Sequence, residues 1–241
     1  MSFGQVNGAY TLTDHSLREY DRYARAKYHL TLRWLQPYLR PGATLYNVGV
    51  GSGYFNHLAV ANGLTVVGCE PDPDAHAAAL ASMPGERCRI ECTDLATFAS
   101  LHEPADFVVM HDVLEHIEDH AAAARDLRRL LKPGGRAILS VPALQQLFGQ
   151  HDIELGHYRR YSKTTLRAVL EPEFRLNRLQ YFGMASIPIV FYFSVYKRSG
   201  YPSAAASDNL LSKAYGSVCD FESHFSEPLG TAIVAELLPR G

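Results

Sequence analysis

Residues 44–71, TLYNVGVGSGYFNHLAVANGLTVVGCEP, decide the fold of this 241-residue chain. A short apolar run is followed by Gly49, Gly51 and Gly53, by a helical apolar pattern, and by a second apolar run that ends on Glu70. This order predicts a strand, a tight turn, a helix and a parallel strand with a carboxylate at its tip. Glycines let the backbone approach a ligand closely, and the helix N-terminus offers free N–H groups. The stretch therefore predicts a cradle for a nucleoside-like cofactor.

The rest of the chain continues the alternation of strands and helices. Helical patterns lie at residues 72–83, after Asp119 and after Ser162. Strands that alternate with helices indicate an α/β fold with a largely parallel sheet covered on both faces. The further strands are predicted at residues 87–92, 105–110, 136–141, 174–182 and 231–237.

The composition is typical of a soluble globular protein. Hydrophobic residues make up 47% and charged residues 20%, and the formal net charge of −2 gives no long-range attraction to nucleic acid. Residues 1–13 lack the apolar core of a signal peptide, so we expect a cytoplasmic location. The four cysteines are expected to be reduced, and Cys88 and Cys92 lack a second pair at zinc-binding spacing.

Three segments outside this alternation are candidates for covering a site. The N-terminal segment has a capping box at Ser16 and carries Tyr20 and Tyr23, which are interpreted either as helix packing or as a lid. Residues 142–161 show weak periodicity, and loops of that length are usually functional. Residues 187–196, IPIVFYFSVY, are too short to span a membrane. They are interpreted either as a core or lid helix or as a contact for a lipid or lipid-linked substrate.

The spacing of the glycines limits the classes of ligand that the loop can bind. A dinucleotide fingerprint needs its third glycine one position later, where Tyr54 stands, and the lysine of a phosphate-binding loop is absent. An amino-acid-linked nucleoside fits better. Glu70 at the tip of the second strand can accept hydrogen bonds from ribose hydroxyls. Asp94 is interpreted either as a ligand of an adenine amino group, with Pro71 and Leu95 beside the base, or as an acid of a surface turn.

Five motifs follow one another along the chain: NVGVGSG at 47–53, EPD at 70–72, DL at 94–95, HDVLEH at 111–116 and LKPGG at 131–135. Each motif is weak alone, but their order and spacing together are specific. Together they resemble the Rossmann-like S-adenosylmethionine-dependent methyltransferases of the small-molecule type. Further similarity, to a bacterial subgroup that often accompanies glycosyltransferases and secondary-metabolite enzymes, lies in GHYRRYS at 156–162, Pro188, Glu222 and PLG at 228–230.

The resemblance implies a seven-stranded, doubly wound, mostly parallel sheet whose last strand is antiparallel. It implies a single methyltransferase domain over residues 1–241. Its parts are an N-terminal helical lid (1–41), a cofactor-binding core (42–182), a helical cap inserted between strands six and seven (183–229) and the final strand (230–241).

The resemblance also assigns the cofactor site for S-adenosylmethionine. One residue departs from the family, because Asn47 stands where an acid usually holds the methionine ammonium group. Asparagine keeps an acceptor but loses the charge, so weaker binding is expected. The predicted cofactor-binding residues are Asn47, Gly49, Gly51, Gly53, Glu70, Pro71, Asp72, Asp94, Leu95, His111 and Val113.

The acceptor site is predicted beside the tip of strand four. Histidine suits a general base near neutral pH, so His116 is the first candidate and His157 the second, although either can be a structural histidine. Tyr20, Tyr23, Arg159 and Arg160 are predicted to bind the substrate. The histidines and acids of residues 111–120 do not follow His-Glu-x-x-His spacing, so no metal site is predicted.

The sequence thus predicts methyl transfer to an oxygen or nitrogen of a small molecule, such as a sugar, a lipid-linked compound or a secondary metabolite. No nucleic-acid partner is expected, and the oligomeric state is left open. The alternative is a catalytically impaired cofactor-binding protein that acts through a partner. Asn47 and the aromatic residues Phe191, Tyr192 and Phe193 motivate that alternative.

Overall fold

A computed structural model describes residues 21–83, 85–199 and 210–240. The described chain forms one seven-stranded sheet with the strand order β3-β2-β1-β4-β5-β7-β6. The strands are β1 (Thr44–Val48), β2 (Thr65–Cys69), β3 (Cys88–Glu91), β4 (Ala105–His111), β5 (Leu131–Pro142), β6 (Phe174–Phe182) and β7 (Ala232–Pro239).

Helices connect these strands and pack on both faces of the sheet. Short 3-10 turns occur at Gln36–Tyr38, Leu114–His116, Gln145–Leu147 and Met184–Ser186. The α-helices are α1 (Arg22–Leu35), α2 (Tyr54–Ala61), α3 (Pro73–Ala81), α4 (Leu95–Leu101), α5 (His120–Arg129), α6 (Gln150–Glu154), α7 (Lys163–Leu170), α8 (Ile187–Val190, continued by π-helical Phe191–Tyr196) and α9 (Leu210–Glu222).

The strand directions confirm the predicted fold class. Strand β1 pairs in parallel with β2 and β4, whereas β7 runs antiparallel to both β5 and β6. The carboxyl ends of the parallel strands therefore meet at one edge of the sheet. In open α/β sheets, ligands bind in the crevice outside this edge.

The core lies on both sides of the central strands. On one face, Val108 and Met110 of β4 belong to a cluster with the helices after β3 and β4. On the other face, Phe107 and Val109 pack with α1 and α2. Every residue of β4 except His111 is buried, which explains why residues 107–110, FVVM, are continuously apolar rather than alternating.

Three segments differ from the sequence-based expectation. Strand β5 starts at Leu131, because residues 132–135 bulge out between the pairs Ala105↔Leu131 and Phe107↔Arg136. Helix α4 was not predicted, since its seven residues are too few to show a helical period. Residues 142–161 are partly helical rather than a plain loop, and the bridge Ala143↔Tyr161 closes them.

The N-terminal and cap segments flank the carboxyl edge. Helix α1 begins at the N-cap Asp21, whose side chain accepts from Ala24 N at 3.0 Å. The predicted helix start at Ser16 lies outside the described residues. Helix α9 packs on α1, where the Arg22 guanidinium donates to Ser212 Oγ at 3.3 Å. In the described ranges, no helix combines the length and the apolarity needed to cross a membrane.

Candidate active site at the carboxyl edge of the sheet

The glycine loop folds back on the end of strand β2. Gly49 N donates to Cys69 O at 2.9 Å, and Gly51 N donates to Glu70 Oε2 at 2.8 Å. The other oxygen, Oε1, accepts from Asp72 N at 3.2 Å. Burial of the Glu70 side chain raises the pKa of its carboxyl. The structure thus brings the loop and Glu70 together, as a cradle for a ribose requires.

Asn47 lies inside the protein beneath this loop. The side chain is 2% exposed, and its Nδ2 donates to Asn56 Oδ1 on helix α2 at 2.7 Å. Asn56 Nδ2 is itself buried, with no hydrogen-bond acceptor among the described residues. If both amides are turned, the hydrogen bond reverses and Asn56 Nδ2 donates to Asn47 Oδ1.

Two further acids at this edge cap helices. Asp72 accepts from Asp74 N and Ala75 N at the start of α3. Asp94 Oδ1 accepts from Thr97 N at 2.8 Å at the start of α4. Asp94 is exposed and follows the end of β3, so the rest of its carboxylate faces solvent at the carboxyl edge. The adjoining Pro71 is half-buried and Leu95 is buried.

His111 and Val113 extend the cradle from the tip of β4. A Cβ atom built at Gly49, where φ is +72°, would overlap Val113 Cγ2. His111 Nε2 shares a hydrogen bond of 2.9 Å with Thr31 Oγ1, and its ring packs against Tyr28 and Phe55 with centroids 4.9 Å away in each case. Burial lowers the pKa of His111 to about 3, with a smaller contribution from Lys27.

Because His111 is neutral in the folded protein, the free energy of unfolding depends on pH. Unfolded histidine takes up a proton near pH 6.5, whereas the folded residue does so only near its pKa of about 3. Between these values the unfolded state binds the extra proton, so stability falls as pH falls. We expect His111→Gln to flatten this slope by up to about 1.4 kcal/mol per pH unit between pH 6 and 4.

Urea unfolding at several pH values measures the slope. The exposed His57→Gln variant should keep the wild-type slope, and an unchanged slope in His111→Gln would contradict the assignment.

An ion pair between a buried lysine and a partly exposed aspartate joins helix α1 to the residue after β4. Lys27, which is 3% exposed, pairs with Asp112 Oδ2, and Ser140 Oγ donates to Asp112 Oδ1 at 2.9 Å. The pKa of Asp112 falls to about 2 because the attraction of Lys27 and its hydrogen bond outweigh burial. Asp112 also has a left-handed φ of 54°, which is rare for a residue other than glycine. Sequence reasoning missed Lys27, since a lysine on a helix carries no signal of burial.

The two candidate bases meet directly. The rings of His116 and His157 stand edge to face with centroids 4.6 Å apart. Burial, followed by the neighbouring His157, lowers the pKa of His116 to about 4. Glu115 lies beside both imidazoles and is fully buried. Burial, followed by repulsion from Asp112, raises the pKa of Glu115 well above its usual range.

Asp152 organises the segment that carries His157. Its Oδ1 accepts from His157 Nδ1 at 2.8 Å and from Arg160 Nε at 2.8 Å, and its Oδ2 accepts from Gly149 N at 3.0 Å. These hydrogen bonds and the charge of Arg160 outweigh burial, so the pKa of Asp152 is lowered. The ionised carboxylate can only accept, so His157 carries a proton on Nδ1. In the neutral imidazole, Nε2 is then the acceptor nitrogen.

The two arginines predicted to bind the substrate have structural partners. Arg160 is buried against Asp152, and Arg159 donates to the carbonyl oxygens of Ile117 and Glu118 at 2.7 and 3.0 Å. These contacts fasten residues 142–161 to the turn after β4. The predicted role of the two arginines in substrate binding stays a prediction beside these contacts.

Tyr23 packs where the cap ends and strand β7 begins. Tyr23 Oη and Thr231 Oγ1 are 2.8 Å apart, and the ring packs on Phe182 with centroids 5.0 Å apart. At the start of the cap, Met184 N donates to Glu227 Oε2 and Ala185 N to Glu222 Oε1. Tyr20, the other predicted substrate tyrosine, lies outside the described residues.

Comparison with known proteins identifies the family. The methyltransferase domain family matches residues 17–172, so the chain belongs to it. An uncharacterized methyltransferase of Mycobacterium leprae is 32% identical over 140 residues, covering 56% of this chain and 51% of the relative. A Mycobacterium tuberculosis counterpart is 34% identical over 141 residues, covering 56% and 54%. The chain thus spans about half the length of these curated relatives.

Solved structures confirm the fold. The N-methyltransferase NodS of Bradyrhizobium japonicum, in complex with S-adenosyl-L-homocysteine, has a TM-score of 0.59 at 14% identity and covers 95% of this chain and 100% of its own. An S-adenosylmethionine-dependent methyltransferase of Mesorhizobium loti has a TM-score of 0.56 at 18% identity, with coverages of 88% and 98%. The predicted class, an S-adenosylmethionine-dependent methyltransferase fold, is therefore confirmed.

Proposed function

We propose that this protein transfers the methyl group of S-adenosylmethionine to an oxygen or nitrogen of a small-molecule acceptor. The observation that carries the proposal is the pair of imidazoles, His116 and His157, at the edge of the sheet where the glycine loop lies. The cofactor supplies the reactive sulfonium. The protein must supply alignment, a dry environment and a group that removes the acceptor proton.

The cofactor half of the proposed site runs from the glycine loop to the start of α4. The loop backbone approaches the methionine part, with Asn47 beneath it, and Glu70 accepts from the ribose hydroxyls. Asp72 supports the loop after β2, Asp94 accepts from the adenine amino group, and Pro71 and Leu95 flank the base. Gly49, Gly51, Gly53, His111 and Val113 line the remainder.

The acceptor half centres on His157 and His116. Asp152 orients His157 and leaves Nε2 free to accept a proton, which is the arrangement of a carboxylate-supported general base. Burial lowers the pKa of His116 to about 4, so its imidazole is neutral at physiological pH and a weak base. This geometry favours His157 as the base, in the reverse order of the ranking from sequence.

Helix α1, residues 142–161 and the cap are proposed to roof the acceptor. Tyr23 on α1 reaches the start of β7, and the contact of Gly149 with Ser194 joins the second segment to the cap. Exposed apolar side chains on the cap, namely Ile189, Phe191, Tyr192 and Tyr196, support an acceptor with a lipid part among the small-molecule candidates.

Release of S-adenosyl-L-homocysteine tests the function. The purified protein is incubated with S-adenosylmethionine and a panel of sugars, phenols, amines and lipid-linked sugars, and both product and cofactor loss are measured by mass spectrometry. We expect at least one hydroxyl or amine acceptor to gain 14 mass units. If the protein binds the cofactor but methylates none of these acceptors, the result would favour the alternative, a catalytically impaired cofactor-binding protein that acts through a partner.

The variant Asn47→Asp separates the two alternatives. Asn56 can turn its amide to donate to the new carboxylate, so the fold should tolerate the change. An added charge near the methionine ammonium group should tighten cofactor binding by about 3- to 10-fold in calorimetry, or roughly 1 kcal/mol. A much larger gain would indicate that asparagine impairs the natural protein. Weaker binding would place the ammonium group elsewhere. Asn62→Asp, an exposed change, is the matched control.

A further inference from the structure

A fully buried carboxylate lies beside the two imidazoles without a hydrogen-bond partner. Glu115 is 0% exposed, and neither of its carboxylate oxygens has a hydrogen-bond donor among the described residues. One ligand atom from each of Glu115, His116 and His157 lies within 4.8 Å of the other two. Burying a carboxylate without a partner lowers the stability of a fold. Buried carboxylates in proteins are therefore usually hydrogen-bonded, paired with a cation or bound to a metal ion.

The His157 imidazole is held from outside the cluster. His157 Nδ1 donates to Asp152, which is in turn held by Arg160 Nε and Gly149 N. This hydrogen bond uses one ring nitrogen of His157 and leaves the other, Nε2, for the cluster. Outer partners of this kind orient the histidine ligands of metal sites.

We infer that Glu115, His116 and His157 bind one divalent transition-metal ion. Two imidazole nitrogens and one carboxylate oxygen form a ligand set of catalytic zinc, which leaves a fourth position for water or substrate. Bonds of about 2.0–2.2 Å to such ligands place neighbouring ligand atoms roughly 3–3.5 Å apart. The cluster needs only small side-chain rotations to close on an ion. This inference revises the expectation, based on spacing alone, that residues 111–120 hold no metal.

The bound ion would activate the methyl acceptor. This role of the ion rests on the proposed function. An acceptor hydroxyl at the open position loses its proton to solvent, because the cation stabilises the alkoxide or phenolate. The oxygen then forms a bond to the methyl carbon of S-adenosylmethionine. The carbon–sulfur bond breaks and its electron pair stays on sulfur, giving S-adenosyl-L-homocysteine. In the metal-bound protein, His116 and His157 act as ligands, and the site favours oxygen acceptors over amines.

Metal binding is tested with Zn²⁺ and Co²⁺ on the purified, chelator-treated protein. We expect one equivalent of Zn²⁺ in calorimetry and, for Co²⁺, visible absorption bands of a nitrogen- and oxygen-ligated site. Glu115→Gln and His157→Ala should each weaken Zn²⁺ binding by about 100-fold or more, since each removes a ligand. His57→Ala, an exposed histidine, should bind like wild type. Wild-type protein that takes up no stoichiometric ion, or a Glu115→Gln variant that binds equally well, would overturn the inference.

Thermal unfolding gives an independent readout. Without metal, Glu115→Gln should melt at or above the wild-type temperature, because it removes a buried acid that has no partner. With excess Zn²⁺, the wild type should gain several degrees while Glu115→Gln gains none. A wild-type melting temperature that does not respond to Zn²⁺ would contradict the site. Calorimetry of S-adenosylmethionine with a chelator present tests the cofactor site separately, so failure of the metal site and failure of the proposed function can be told apart.

Discussion

Replacing Gly51 with alanine is expected to weaken binding of S-adenosylmethionine by about 100-fold or more, which corresponds to roughly 2.7 kcal/mol. Gly51 has a φ of +53°, and a Cβ atom there meets no protein atom within 4 Å. Its N–H donates to Glu70 Oε2, so the loop and the proposed ribose acceptor meet at this residue. In the proposed site, the space beside Gly51 belongs to the cofactor. A methyl group would therefore collide with the ligand rather than with the protein.

The matched control is Gly63→Ala. Gly63 also has a left-handed φ, +85°, and open space around its Cβ position, but it lies at the opposite end of helix α2. Both variants should lose about 1–2 kcal/mol of unfolding free energy from backbone strain. Only Gly51→Ala should lose cofactor affinity in calorimetry. Equal affinity in the two variants would show that the ligand does not approach Gly51.

Asp152→Ala is expected to lower the free energy of unfolding by about 3–5 kcal/mol. The substitution deprives the buried Arg160 guanidinium of its carboxylate and removes the acceptor for Gly149 N. It also releases His157 Nδ1, so both the orientation of this imidazole and any metal affinity should fall. Urea unfolding measures the first effect, and Zn²⁺ calorimetry measures the second.

Glu171→Ala is the control for this ion pair. Glu171 pairs with Arg167 on the surface at 2.8 Å, with both side chains nearly half exposed. Its removal should cost less than about 1 kcal/mol, as for other exposed pairs. If Asp152→Ala costs no more than this control, the buried network does not hold residues 142–161 in place.

The sequence predicted the sheet well because buried parallel strands consist of continuous runs of apolar residues. Strand β6 begins and ends where the sequence predicts it, at residues 174–182. Helix α4 and helix α6 were missed, since each is too short for a helical period to appear. The bulge at residues 132–135 depends on pairing between β4 and β5, which no local pattern encodes.

The candidate site was only partly predictable for a similar reason. The glycine loop and Glu70 are close in sequence and follow strand ends, so their meeting was foreseeable. The contact between His116 and His157 depends on how residues 142–161 fold back over β4, and the role of Asp152 depends on the same fold. The complete burial of Glu115 gave no signal in the sequence, because it too depends on that fold.

The central claim is that the loop after β1, together with Glu70, binds S-adenosylmethionine. Isothermal titration calorimetry of the wild-type protein with S-adenosylmethionine and with S-adenosyl-L-homocysteine tests this claim most directly. We predict saturable binding of both ligands with one site per chain, and its loss in Gly51→Ala but not in Gly63→Ala. No heat of binding for either ligand at millimolar concentration would contradict the account.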